Sequence, residues 1–413
     1  MKVTHICTSL DGGAGLCAKR IIKASRKIGV DARAVVMSGI HNETTDVIKY
    51  QYPWSSFKFI KKTQAALSLL GLWPKDIREI KRIEKVIYQE RAKNKTYYAF
   101  TPPFSIYKNI HNHPWVKNAD LIHLHWIGNF VDYPSFFPQI NKPIVWTLHD
   151  QNPGLGGFHH QPWKEKSSIS FQSLDDKWMD VKRQAYGKIH TSMTIVAISK
   201  MMSEFVNNNR LLKSFPNVII HNGVDINAFR KISKEAARDV LSIPQENTVF
   251  MFSAYRIDEV WKGLNELIAA LSGINIPNVT LIVLGNFLKA PQASFDIRCE
   301  GFISNSHLLS IYYSASDYFV LPSYQEAFAQ TPLEAMACGT PVISFPCSGA
   351  GELINEINGI VCDDFNIESL KKGILQAIQK TYHRDEIREH VSSHFSYDII
   401  AKQYIDLYQS ILS

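Results

Sequence analysis

The chain has 413 residues, 45% of them hydrophobic and 20% charged, with a net charge of +7. That length exceeds what one hydrophobic core usually supports, which excludes a single small domain and predicts two, and the ordinary globular composition excludes long disordered tracts. No apolar run approaches the ~18 to 20 residues that cross a bilayer, and the six scattered cysteines, with no CxxC pair and no His at zinc-ligand spacing, read as reduced thiols of a cytoplasmic protein.

In chain order, Val3 to Cys7 reads as a first buried strand. It runs into Asp11-Gly12-Gly13 without the apolar core and cleavage site of a signal peptide. Gly12, Gly13 and Gly15 follow the strand, where missing side chains let a ligand approach the backbone. Ala32 to Met37 reads as a second strand. Between Lys58 and Lys95 eleven Lys or Arg stand against four acids, a local excess equal to the net charge of the whole chain. Phe57, Phe59, Leu69, Leu70 and Trp73 are interleaved with them on expected helices. This segment, 57–95, is either a solvated helix face or a contact to an anionic membrane surface or charged acceptor. No DNA- or RNA-binding motif accompanies it, so nucleic acid is not an expected partner.

Further strands are expected at Leu121 to His125, Ile144 to Leu148, Thr194 to Ile198 and Val218 to Ile220, then at Val249 to Ser253, Thr280 to Leu284, Tyr318 to Leu321 and Pro341 to Ser344. Short β-branched runs alternating with longer amphipathic segments predict parallel strands and crossover helices. The polar turn Asn222-Gly223-Val224-Asp225 precedes a helix starting near Ser233. The domains expected are therefore 1–225 and 226–395, followed by a helix over 396–413.

The segment from Tyr324 to Ile343 carries the chemistry. It follows the strand ending at Leu321, offers a helix start near Thr331-Pro332 and a stop at Gly339, then resumes as a strand. Open α/β sheets bind ligands beyond the carboxyl ends of their strands, and a helix N-terminus there favours phosphate. Glu326 falls in the loop and Glu334 is expected in the first helical turn. Carboxylates repel phosphate but accept hydrogen bonds from hydroxyls, so the ligand should carry hydroxyls on either side of its phosphates. Arg256 and Lys262 follow the strand Val249 to Ser253, and His149 and Asp150 end the strand Ile144 to Leu148. His159 and His160, after Gly156-Gly157, are candidates for the acceptor side.

Glu326 and Glu334, followed by Ala335-Met336-Ala337-Cys338-Gly339-Thr340-Pro341-Val342, resemble the signature of retaining family 4 glycosyltransferases of GT-B fold, including bacterial polysaccharide and lipopolysaccharide-type enzymes. Gly12-Gly13-Ala14-Gly15, His149-Asp150, Ile198-Ser199, His221 to Asp225, Arg256 with Lys262-Gly263, Gly301-Phe302 and Phe395-Ser396-Tyr397 extend the resemblance along most of the chain. It implies an α/β GT-B architecture, two Rossmann-like domains with parallel sheets facing across a cleft, with 1–225 on the acceptor side, 226–395 binding the nucleotide sugar and the helix over 396–413 crossing back to the first. It implies hexosyl transfer from a nucleotide diphosphate sugar to a hydroxyl of a glycan or lipid-linked acceptor, with retention. Glu326 would contact the donor sugar, Glu334 the ribose, Arg256 and Lys262 the diphosphate, and His149 the sugar or reactive centre. Gly13, Phe328, Ala329, Gln330 and Thr331 complete the implied donor site. With two cations available no metal and no other cofactor is expected. Departures are Ala329 where many relatives carry glycine, Gly351 where they carry proline, and Phe158 where one subgroup carries cysteine.

Other readings stay open. A sugar-nucleotide epimerase of the same fold and a carbohydrate-binding relative without catalysis both fit parts of the pattern. A dinucleotide-dependent oxidoreductase would need an acid at the end of the second strand, where Met37-Ser38-Gly39 stands. A glycan phosphorylase would need a lysine for pyridoxal phosphate in a recognisable context.

Overall fold

The computed structural model describes residues 1–39, 44–51, 75–94, 99–347 and 349–413. Of the basic segment 57–95, only the helix Lys75–Asn94 lies among them, and Phe57 to Trp73 fall outside the described residues. The chain divides into two compact units: Met1–Ile198 with Met202–Ile220 and Ala401–Ser413, and Ser199–Met201 with His221–Ile400. The changeover at Ile220–His221 falls before the expected boundary at 225, and the last helix, Tyr397–Leu412, gives its residues from Ala401 onward to the first unit.

The first unit holds a seven-stranded parallel sheet of β1 (Lys2–Ser9), β2 (Asp31–Ser38), β3 (Val47–Lys49), β4 (Leu121–Leu124), β5 (Ile144–Leu148), β6 (Met193–Ala197) and β7 (Asn217–Ile219), in the order β3-β2-β1-β4-β5-β6-β7. β4, β5 and β6 are buried along their whole length, as expected of central strands covered on both faces. The helix Gly12–Lys27 packs its Cys17, Ala18, Ile21 and Ile22 stripe inward. Gly15 permits that packing. A Cβ there would stand 2.4 Å from the Ser9 carbonyl oxygen, so this glycine serves helix-on-strand contact and not ligand approach. At the C-terminal end of the chain, the Tyr404 hydroxyl meets Thr147 Oγ1 at 2.9 Å and the Tyr408 hydroxyl meets His123 Nδ1 at 2.6 Å, both buried.

The second unit holds a six-stranded parallel sheet of β8 (Thr248–Arg256), β9 (Val279–Asn286), β10 (Asp296–Gly301), β11 (Tyr318–Leu321), β12 (Val342–Ser344) and β13 (Gly359–Val361), in the order β10-β9-β8-β11-β12-β13. Phe250, Phe252, Leu267, Leu281, Val283, Val320 and Ile343 fill its core. The expected helix near Ser233 is Lys234–Leu241, with the Ser233 hydroxyl accepting from the Ala236 N–H at 3.1 Å.

Candidate functional site

β8 and β11 lie side by side at the centre of the second sheet, and the loops leaving their carboxyl ends carry the chemistry. After β8 the chain makes a short 3-10 turn, Val260–Lys262, ending at Gly263 with φ +75°. A Cβ on Gly263 would stand 2.0 Å from the Pro322 carbonyl oxygen, so only glycine lets this turn press against the end of β11. The Tyr324 N–H donates to the Trp261 carbonyl at 2.9 Å, tying the two loops together. Lys262 Nζ thereby sits 2.7 Å from Glu326 Oε1. Burial pulls the Lys262 ammonium down, and the adjacent Glu326 more than offsets this, keeping it above the usual lysine range. Cys347 lies beside the pair as a neutral thiol pushed by burial up to about 12.

Arg256 is not brought to this pair. It is exposed at the end of β8, beyond a register shift after Ser253, and holds Asp258 through contacts of 2.8 and 3.2 Å.

The loop from Glu326 leads to the helix Gln330–Ala337. Ala329, its N-cap, is extended and has no side chain able to cap, so the dipole end of the helix is left favourable to an anion. Pro332 within the first turn lacks an N–H, which leaves those of Gln330 and Thr331 at the very start. The helix begins one residue earlier than expected, so Glu334 opens its second turn and not its first. Glu334 is 9% exposed, and its Oε2 accepts from the Tyr313 hydroxyl at 3.2 Å. Phe328 is buried and stacked on His221, ring centroids 5.1 Å apart and 11° from parallel, which fixes the approach to the helix.

In the first unit, Gly12 has φ +73° and opens the helix after β1, and a Cβ on Gly12 or Gly13 would meet nothing within 4 Å. His149 follows β5. Its Nε2 lies 3.3 Å from His125 Nδ1, and burial pulls its imidazole down to about 4 against the pull of Asp150. Burial works against the Asp150 carboxylate, but His159, His160 and the Asn152 N–H hold it at about 2. Asp150 Oδ2 takes hydrogen bonds from Trp126 Nε1 at 3.0 Å and His159 Nδ1 at 2.8 Å, and the His159 Nε2 meets Thr101 Oγ1 at 2.8 Å. His159 therefore braces Asp150, while His160 packs its ring on Trp163 at 4.4 Å.

His5, His123 and His125 were not anticipated. His123, in β4, and His125, just past its end, are two residues apart, a period-2 signal for a shared face. His5 lies opposite His123 in the β1–β4 register, a pairing across more than a hundred residues that no local pattern reveals.

Two parallel-sheet α/β units, with an anion-favouring helix start and two glutamates beyond the carboxyl end of β11, have the architecture of the GT-B fold. Residues 12–228 match the family model for Glycosyltransferase Family 4, and residues 233–393 that for Glycosyl transferases group 1. The chain belongs to glycosyltransferase family 4. It is 26% identical over 316 residues to an uncharacterized glycosyltransferase of Methanocaldococcus jannaschii, covering 71% of this chain and 76% of that one. It is 25% identical over 218 residues to a D-inositol 3-phosphate glycosyltransferase of Streptosporangium roseum, covering 47% of this chain and half, 50%, of that relative. Among solved structures it is similar in fold to a sucrose-phosphate synthase of Thermosynechococcus elongatus (TM-score 0.66, 18% identity, 100% and 99% of the two chains). The same holds for Anabaena HepE in complex with UDP (TM-score 0.63, 19% identity, 99% and 100%).

Proposed function

We propose that this glycosyltransferase moves a hexosyl unit from a nucleoside diphosphate sugar to a hydroxyl of a glycan or lipid-linked acceptor, with retention at the anomeric carbon, in cell-surface polysaccharide synthesis. The observation that carries this reading is the Lys262 ammonium held 2.7 Å from Glu326 beside the start of the helix Gln330–Ala337. The departing nucleoside diphosphate gains negative charge as the C1–O bond breaks, and a fixed cation with a helix dipole stabilises that charge more in the transition state than before it. Glu334 accepts from ribose hydroxyls. Glu326 orients Lys262 and offers its second oxygen to a sugar hydroxyl. Arg256 joins the diphosphate by exchanging Asp258 for it.

The acceptor oxygen forms its bond to C1 on the face the diphosphate leaves, and its proton passes to a departing phosphate oxygen. No covalent nucleophile is assigned. Because Lys262 and Arg256 supply the charge, the reading assigns no metal. Fold relatives solved with UDP-glucose, and with ADP and acarbose, support a nucleotide-sugar donor. No described helix is long and apolar enough to cross a membrane; the reading places the chain in the cytoplasm, with the basic helix Lys75–Asn94 peripheral to the membrane's inner face.

The test is thermal shift against UDP-, GDP-, ADP- and dTDP-sugars with wild type and Glu334→Ala. Stabilisation by one nucleotide class, about 2.7 kcal/mol at a hundredfold excess over Kd, should vanish in the variant. A folded wild type that responds to none, and turns over none, sinks the reading.

A further inference from the structure

Three imidazoles form a hydrogen-bonded row in the first unit. His5 Nδ1 lies 2.9 Å from His125 Nε2, and His125 Nδ1 lies 3.3 Å from His149 Nε2. The inner end of the row, His5 Nε2, is buried with no hydrogen-bond partner among the described residues. The outer end, His149 Nδ1, has none to another described residue, and His149 is half-buried at the end of β5. His123 packs on the row, its ring centroid 4.1 Å from that of His125, but its two nitrogens are engaged by the Tyr408 hydroxyl and Thr147 Oγ1.

Each N···N link needs one proton. If all three rings are neutral, only two arrangements satisfy both links: every ring protonated at Nδ1, or every ring at Nε2. The second leaves an N–H at His5 Nε2 buried without an acceptor, and orphaned buried donors are the rarer and costlier case. The field agrees. Asp150, ionised, sits next to His149 at the outer end of the row. A carboxylate at the outer end draws the N–H bonds to point outward along the row.

We propose that His125, backed by His5, is a positioning residue that fixes His149 as the neutral Nδ1–H tautomer, so that His149 presents a hydrogen-bond donor and not a base. The proposal rests on the reading of His149 as a contact to the donor sugar, and specifies that contact: the ring donates to a sugar hydroxyl or phosphate oxygen and takes no proton from the acceptor. Burial, which pulls His5, His125 and His149 below the usual imidazole range, keeps the row neutral near pH 7. The titratable groups packed around it are His123, Asp150, His159 and the hydroxyls of Tyr133, Tyr404 and Tyr408.

His5, His123 and His125 also bring nitrogens within 4.8 Å of one another, a grouping able to gather a metal ion. The 2.9 Å link argues for a shared proton instead. Two nitrogens on a tetrahedral zinc, each at about 2.0 to 2.1 Å, stand about 3.4 Å apart.

Long-range 15N–1H correlation on histidine-labelled protein reads the tautomers of the unliganded chain, whatever its donor proves to be. All three rings should show Nδ1–H at about pH 7. Nε2–H or an imidazolium at His149 overturns the proposal, and so does stoichiometric zinc that shifts the His5 and His125 nitrogens. Turnover of the responding donor supplies the second measurement. His125→Phe should lower kcat about 10-fold, while His125→Gln, whose amide can still donate to His149 Nε2, should retain most of it. Equal loss in both variants, or none in either, removes the positioning role. If His125→Phe does not fold, the wild-type tautomers alone still decide.

Discussion

At the scale of the residue, the placement of Lys262 depends on its neighbour. Gly263 combines φ +75° with a carbonyl oxygen 2.0 Å from where a Cβ would stand. Alanine there meets both backbone strain, about 1 to 3 kcal/mol, and a rigid backbone atom that cannot rotate away. The turn Val260–Lys262 must then lift from Pro322, taking Lys262 from Glu326. Gly263→Ala is expected to fold with a lower Tm and to lose about 10- to 100-fold in kcat/KM, because an ångström of misplacement at a charge-stabilising group has that effect. Steady-state kinetics beside a melting curve checks it. Unchanged kcat/KM would show that the Lys262–Glu326 contact does not govern turnover. Lys262, Gly263 and Glu326 were each legible in the sequence as parts of a family pattern. Their contact was not, since the two side chains are 64 residues apart and only the packing of β8 against β11 joins them.

At the scale of the element, the helix Lys75–Asn94 shows what a charge count alone leaves open. Ile83 and Ile87 join the cluster of Phe100, Leu155, Phe158, Phe171 and Trp178, so the apolar stripe of this helix is already used inside the first unit. The exposed side carries Arg78, Lys81, Arg82, Lys85 and Lys93 against Glu79 and Glu84. Beside the exposed Tyr88, any membrane contact of this helix therefore rests mainly on charge, worth about 1 kcal/mol per basic residue near an anionic surface. Flotation with phosphatidylserine vesicles should show binding at low ionic strength, weakened well above about 0.15 M salt and abolished by Lys81→Glu with Arg82→Glu and Lys85→Glu. Binding unaffected by the three reversals would remove this helix from the interface. The strands that escaped the sequence share a physical reason. β3, β10 and β13 are edge strands; β3 and β13 have three residues each, and Asp296–Gly301 alternates charge with Ile297 and Cys299. The central strands, buried on both faces, announce themselves as continuous apolar runs.

At the scale of the whole molecule, buried histidines are divided unequally between the two units. The first carries His5, His123 and His125, each no more than 1% exposed, and His149 beside them. Burial lowers all four, His5 to about 3 and His149 to about 4. The second unit's His307, His383 and His394 are exposed, and its His221 and His390 are half-buried, burial lowering His390. A histidine whose folded value lies below its unfolded one, about 6.5, binds more protons when unfolded, so its folded state is favoured above about pH 6.5 and loses that advantage as pH falls toward 4. Each such group removes up to about 1.4 kcal/mol per pH unit across that window. Carboxylates such as Asp150, held down to about 2, add their loss only below about pH 4. Acid should therefore open the first unit well before the second. Hydrogen exchange, corrected for intrinsic rates, should show peptides of β1, β4 and β5 losing protection between about pH 6.5 and 4.5 while those of β8, β9 and β11 keep theirs. Parallel loss in both units would mean that the buried histidines do not set the acid limit.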